Sequence, residues 1–219
     1  MIQRAAPDRP TWANTWRFVV GIAVCLVIGW YAFAQGERVP ILAGVDLAFH
    51  EASHFFTSFL PRVIYFAAGS IGQIAWPLGI GIAFLVINKD PLGAGLCFAW
   101  AGSSAQNVSE YIADAPTMDL PLIGGMHDWN TIFGPDHLDA LDAAKGLSEV
   151  VWASGLILWV IGVGLCVWGP WAVRNRTKRL ALEQSGGERA GAGSAASSGG
   201  WAVVPPWEDA SKTQRRDPP

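Results

Sequence analysis

Charge is scarce in this chain, and where it occurs it is kept to particular places. Asp, Glu, Lys and Arg make up 15% of the 219 residues while hydrophobic residues reach 51%; an ordinary soluble domain carries about 25% charge. That balance excludes a solvated, disordered polyampholyte. The net charge of −3 hides an asymmetry, with Arg and Lys gathered at the two ends and Asp in the middle, and nucleic acid is not expected as a partner. Cysteine is nearly absent: Cys25, Cys97 and Cys166 each stand alone inside an apolar run, with no CxxC pair. Neither a disulfide framework nor a cysteine metal site is expected, and the three read as small buried hydrophobes. No internal repeat is present, which excludes a solenoid. No small-residue cleavage site follows the first apolar run, which argues against a removable signal peptide.

What is present is a series of apolar runs and twelve Trp. Residues 18–34 are about long enough to cross ~30 Å of hydrocarbon, and Trp16, Trp30 and Tyr31 flank them as interfacial anchors. After Gly36 and Pro40, residues 45–60 form a shorter amphipathic helix with Asp46 as N-cap and Pro61 as stop. Residues 63–87 are a second long run, containing Pro77. The break Asn88-Lys89-Asp90-Pro91 then turns the chain into a helix from Leu92, making a membrane hairpin. That helix becomes polar, with Gln106, Glu110 and Asp114 at i, i+4 and i+8 on one face. Residues 115–148 read as an acidic loop broken by Pro116, Pro121, Gly124-Gly125 and Pro135. Residues 150–173 are the last strong span, with Trp168 and Trp171 as an interface belt. The Gly/Ser/Ala-rich stretch 185–200 is expected to stay disordered.

The expected organisation is therefore an all-α integral membrane protein. Residues 1–17 form a cytoplasmic N-terminal segment, 18–173 a transmembrane helical domain, and 174–219 a disordered cytoplasmic tail. Four spans are expected, with the 45–60 helix entering without crossing. Lys and Arg flank the spans at both ends of the chain, which places both termini in the cytoplasm. The motif helix, Asp114 and His127 then face the same outer side.

The chemistry is concentrated in His50-Glu51-Ala52-Ser53-His54, an HExxH pattern. On a helix the two imidazoles fall one turn apart on one face and can share a zinc ion, with Glu51 beside the open coordination position as general base. Zinc lowers the pKa of bound water to about 7, which suits amide hydrolysis. The bland alternative is a pair of histidines that only hydrogen-bond inside a bundle; polar groups in membrane helices tend instead to be functional. A third protein ligand is needed. Asp114, at the end of its helix's polar face, is favoured, with Glu110 orienting a ligand from one turn away. His127 and Asp128 are rivals, and their alternative reading is a solvated loop or a helix capped by Asp128. Asp136, His137, Asp139 and Asp142 read as surface. Gln73 and Asn107 are candidate contacts to a substrate backbone.

The segment 49–56, Phe-His-Glu-Ala-Ser-His-Phe-Phe, resembles the site-2 protease-like family of intramembrane zinc metalloproteases. The following Gly69-Ser70-Ile71-Gly72-Gln73 and Pro77 are similar to a Gly/Pro-rich helix of that family. The resemblance implies a zinc hydrolase in which His50 and His54 bind metal with a distant Asp and Glu51 is the base. Two features depart from the family: Ser53 stands where Gly is common, and the Pro/Leu-Asp-Gly signature of the third ligand is absent. The block 124–134 also resembles a bacterial group of membrane proteins with a similar HExxH helix, which implies a bacterial inner membrane. The expected partners are the lipid bilayer and a membrane-associated polypeptide substrate. Two other functions fit the same residues: a metal- or proton-binding transport path through His50, Glu51, His54, Glu110 and Asp114, or a structural membrane protein whose polar groups only fasten helices. The acids cluster at one end of the spans, which favours the peptidase.

Overall fold

The computed structural model describes residues 12–122 and 125–198, and among these every regular element is helical. Residues 1–11, 123–124 and the tail beyond Ser198 lie outside the described residues. The chain divides into two units, residues 1–172 and 173–219. The first holds the whole of the site.

Helix α1 (Trp12–Gly29) runs into a π-helical turn, Trp30–Gln35, and stops at Gly36. The φ of +66° there is one that glycine adopts without the Cβ penalty of other residues. Helix α2 (Pro40–Thr57) starts at Pro40, earlier than the expected residue 45. Proline suits a first helical position because its φ is preset and its missing N–H is not needed there. Asp46 is consequently no N-cap: it sits inside the helix, buried, and accepts hydrogen bonds from Trp100 Nε1 at 2.7 Å and Ser104 Oγ at 2.9 Å. Helix α3 (Arg62–Val86) follows, with Pro77 inside it. Asp90 caps α4 (Pro91–Ala113) by accepting from the Leu92 N–H.

The segment expected to be an irregular acidic loop contains a short helix, α5 (Asp128–Phe133). Helix α6 (Ala143–Ser198) continues through most of the Gly/Ser/Ala-rich stretch, where composition predicts disorder. It propagates from an apolar span that includes Pro170 and meets no further proline before residue 205; each residue added to an existing helix gains a hydrogen bond without a new nucleation cost.

Among the described residues three segments are long and apolar enough to cross a membrane: Thr15–Gln35, Arg62–Val86 and Ala143–Gln184. Helix α4 is not among them, because Gly, Ala, Ser, Gln and Asn fill it. It is instead the most buried helix, with Ala94, Ala99, Ala101, Ser103, Ser104, Ala105, Gln106 and Asn107 all covered. Small residues let backbones approach where no hydrophobic force drives helices together. A Cβ on Gly95 would lie 2.7 Å from the Gly162 carbonyl, and one on Gly102 2.7 Å from the Gly155 carbonyl, so α4 and α6 touch backbone to backbone. Trp159 Nε1 donates to the Cys25 carbonyl at 2.7 Å and ties α6 to α1. Cys25 and Cys166 meet beside this contact, buried as expected. A second cluster, Phe66, Val108, Ile112, Ile132, Phe133 and Ala144, seats α5 on α3 and α4.

Candidate metal centre

Helices α2 and α3 cross so closely that only small residues fit between them. A Cβ on Gly72 would overlap the hydroxyl of Ser53, and one on Gly69 would lie 2.5 Å from both His50 Nε2 and His54 Nε2. The imidazoles of the motif are therefore aimed at the bare backbone of Gly69. Ser53 turns its own hydroxyl back to the Phe49 carbonyl at 2.7 Å, which keeps it satisfied at the contact.

The third group comes from α5. Asp128 Oδ2 lies 3.0 Å from His50 Nε2 and 3.2 Å from His54 Nε2, and the two nitrogens are 3.0 Å apart. Among the described residues these three side chains form the group suited to hold a metal ion. A tetrahedral zinc with ligand distances of about 2.0–2.1 Å separates its ligand atoms by about 3.3–3.4 Å, so the observed triangle is within a few tenths of an ångström of that edge.

The hydrogen bonds of the two rings also suit a cation. His54 Nδ1 lies 2.9 Å from the Tyr65 carbonyl, which can only accept, so Nδ1 carries a proton, and the neutral tautomer with that proton turns a lone pair on Nε2 inward, as a metal ligand requires. That lone pair faces a carboxylate oxygen that also can only accept. In that tautomer one proton on His50 Nε2 cannot serve both acceptors, whereas a cation satisfies all three donor atoms at once. A backbone carbonyl that fixes the tautomer of a ligand histidine is a usual second layer of metal sites.

Helix α5 is fastened on every side that matters for this placement. The Asp128 N–H donates to the Tyr111 hydroxyl at 3.0 Å, Trp129 Nε1 to Ser70 Oγ at 3.0 Å, and Asn130 Nδ2 to the Ala115 carbonyl at 2.8 Å. The N-cap is His127, whose Nδ1 accepts from the Asn130 N–H at 3.2 Å, rather than Asp128. With Nδ1 accepting, the ring proton sits on Nε2, which lies 3.3 Å from Asp114 Oδ2 without a directed hydrogen bond to it. Burial lowers the His127 pKa, against the pull of Asp114. The ring stacks on Tyr111 with centroids 4.2 Å apart.

Asp114 and His127, two of the ligands expected from sequence, thus pair with each other and not with the motif. The Asp114 carboxylate also accepts from the N–H groups of Asp119 and Leu120 and from the Thr117 hydroxyl. Burial acts to raise its pKa, but these bonds and His127 outweigh it and hold the group below the ordinary carboxylate value. The pair braces the loop that carries Asp128. Glu110 accepts from Gln106 Nε2 and is not among the residues that line the cavity at the motif. Asp136, Asp139 and Asp142 are exposed, as expected, and His137 is half-buried.

The three donor atoms border a cavity of about 230 Å³. Glu51, exposed on α2, lines it together with Gln73, Asn107, Tyr111, Asp46 and Arg38. Tyr111 and Gly69 carry no motif of their own. The available signals are the Gly69-Ser70-Ile71-Gly72 run of small residues and a tyrosine three residues before Asp114. No protein-family model matches the chain, and neither does a curated protein or a solved structure.

Proposed function

We propose that this chain is a membrane-embedded zinc metallopeptidase of the site-2 protease-like kind, in which His50, His54 and Asp128 hold the metal and Glu51 is the general base. The observation that carries the reading is the convergence of three donor atoms within 3.0–3.2 Å of one another, two of them on an HExxH helix, at a cavity that Glu51 also lines. Zinc in such a site polarises a carbonyl and makes bound water acidic. The chain's own residues do the rest. Glu51 takes a proton from water as the oxygen adds to the carbonyl carbon of the peptide, and returns it to the amide nitrogen as the C–N bond breaks. Gln73 and Asn107 offer hydrogen bonds to the substrate backbone, and the Tyr111 hydroxyl has its own proton to donate.

The same reading includes four crossings, with α4 as a fourth span hidden from lipid, both termini in the cytoplasm and a bacterial plasma membrane as the location. Phe55 and Phe56 at the end of α2 and Phe59 in the turn after it are exposed. In lipid this apolar face is at home, which suits a membrane-associated polypeptide as substrate.

The test is Glu51→Gln in detergent-purified, zinc-loaded protein incubated with a peptide library. Zinc content is expected to stay at the wild-type level while cleavage falls by about 10²–10⁴-fold. A variant that cleaves at the wild-type rate sinks the assignment.

A further inference from the structure

We propose that the cavity beside the metal centre contains a subsite for a primary ammonium group, so that the peptides cut at this centre carry such a group next to the scissile bond. The inference rests on the metallopeptidase reading and adds the substrate class to it.

Asp46 lies four residues before His50 on α2 and lines the same cavity. The residue is 3% exposed. Its Oδ1 is saturated by Trp100 Nε1 and Ser104 Oγ, while Oδ2 is buried with no partner. Asn107, 7% exposed and also lining the cavity, has an amide oxygen in the same condition. Whichever way that amide is turned, an ionised Asp46 can only accept. Buried acceptors without donors are rare in folded proteins and point to a missing partner. Arg38 also lines the cavity but is exposed and leaves Asp46 Oδ2 unpartnered.

An ammonium is compact, carries three donors and suits a buried point acceptor. The spacing agrees. The α-nitrogen of an amino acid lies about 2.5 Å from its own carbonyl carbon and about 2.9 Å from an acceptor it bonds. Together these approach the ~6 Å rise between residues four apart on a helix. A substrate residue whose carbonyl lies beside His50 and whose amine runs along α2 toward Asp46 fits that rise, and His50 and Asp46 both line the one cavity. The ammonium can belong to a peptide N-terminus or to a lysine side chain, and the test separates the two.

Three zinc-chelating probes are titrated into the full-length zinc-loaded protein in detergent at pH 7: leucine hydroxamate, N-acetyl-leucine hydroxamate, and Nα-acetyl-lysine hydroxamate. A charge-assisted hydrogen bond predicts that leucine hydroxamate binds about tenfold to a hundredfold tighter than its acetylated form. Asp46→Asn, which keeps an acceptor for Trp100 and Ser104, is expected to bring the two within about twofold. If only the lysine probe gains, the ammonium is a side chain's. Equal binding of all three probes to zinc-loaded wild type overturns the subsite and leaves the metal centre standing. A wild type that takes up no zinc overturns both. If Asp46→Asn fails to fold, the order of the three probes on wild type decides alone.

Discussion

Replacing Asp128 by Ala removes one of three donor atoms from the candidate metal centre while leaving the backbone N–H that holds α5 to Tyr111. Zinc in small structural sites binds with about 10–16 kcal/mol over four ligands, so one ligand is worth about 2.5–4 kcal/mol, or about 10²–10³-fold in dissociation constant. Asp114→Ala provides the contrast. Asp114 reaches the site only through His127 and the stacked Tyr111 ring, and an outer partner of that kind is worth about tenfold or somewhat more. Both variants are purified in detergent, loaded with zinc and measured by elemental analysis, then by competition against a chromophoric chelator. Asp128→Ala is expected to lose its zinc on gel filtration and Asp114→Ala to retain it. Retention of stoichiometric zinc by Asp128→Ala, or equal loss in both, refutes the assignment of the third ligand.

Other substitutions probe the geometry around the same centre. Gly69→Ala puts a carbon 2.5 Å from both imidazole nitrogens, about an ångström inside ordinary contact, and should abolish zinc uptake, whereas Gly79→Ala on the same helix meets nothing and should leave it intact; similar zinc content in the two contradicts the close approach of α2 and α3. Tyr111→Phe strands the Asp128 N–H and should weaken zinc binding by about 10–100-fold in the chelator competition, and unchanged affinity shows that α5 needs no such clamp. Gly102→Leu drives a side chain into the Gly155 carbonyl, and overpacking of this kind costs about 1–3 kcal/mol or more. A lower melting temperature in detergent is expected for it and not for Gly164→Leu, where a Cβ meets nothing; equal melting would contradict backbone contact between α4 and α6.

Hydropathy locates α3 to within a residue at each end, because a long apolar run between Pro61 and the Asn88–Pro91 break leaves little choice. The HExxH spacing likewise puts His50 and His54 on one face of one helix. The start of α2 is less legible, since Gly44 and Pro40 read as linker residues when neither interrupts the helix. The third member of the candidate metal centre is harder still. Asp114 is favoured by its place on a helix face, but a carboxylate at a helix C-terminus is free to fold back onto the following N–H groups, and in this chain it does. Asp128 reaches the centre through bonds made by Trp129, Asn130 and the Tyr111 hydroxyl to partners on α3, α4 and the turn that follows α4. Such pairings between distant segments have no periodic signature. Helix α4 hides for a related reason: the small and polar residues that let it pack inside the bundle are those that lower its hydropathy.

Ser53 and Gly72 show how bulk on one helix can be absorbed by the helix it faces. A serine at this position of the HExxH helix adds a hydroxymethyl group where close packing favours glycine. In this chain the opposing residue on α3 is Gly72, and a Cβ there would collide with the Ser53 hydroxyl. The room that a glycine on α2 would have made is thus supplied by the glycine on α3, and the serine hydroxyl is satisfied by the Phe49 carbonyl within its own turn. The two histidines keep their aim because the distance between helix axes depends on the sum of the two facing side chains, not on which helix carries the larger one. Gly72→Ala should therefore be harmful with Ser53 present and tolerated once Ser53 is also changed to Gly. Zinc content across the four proteins of that cycle measures the coupling directly, and additive losses would mean that the two positions are held apart by something other than each other.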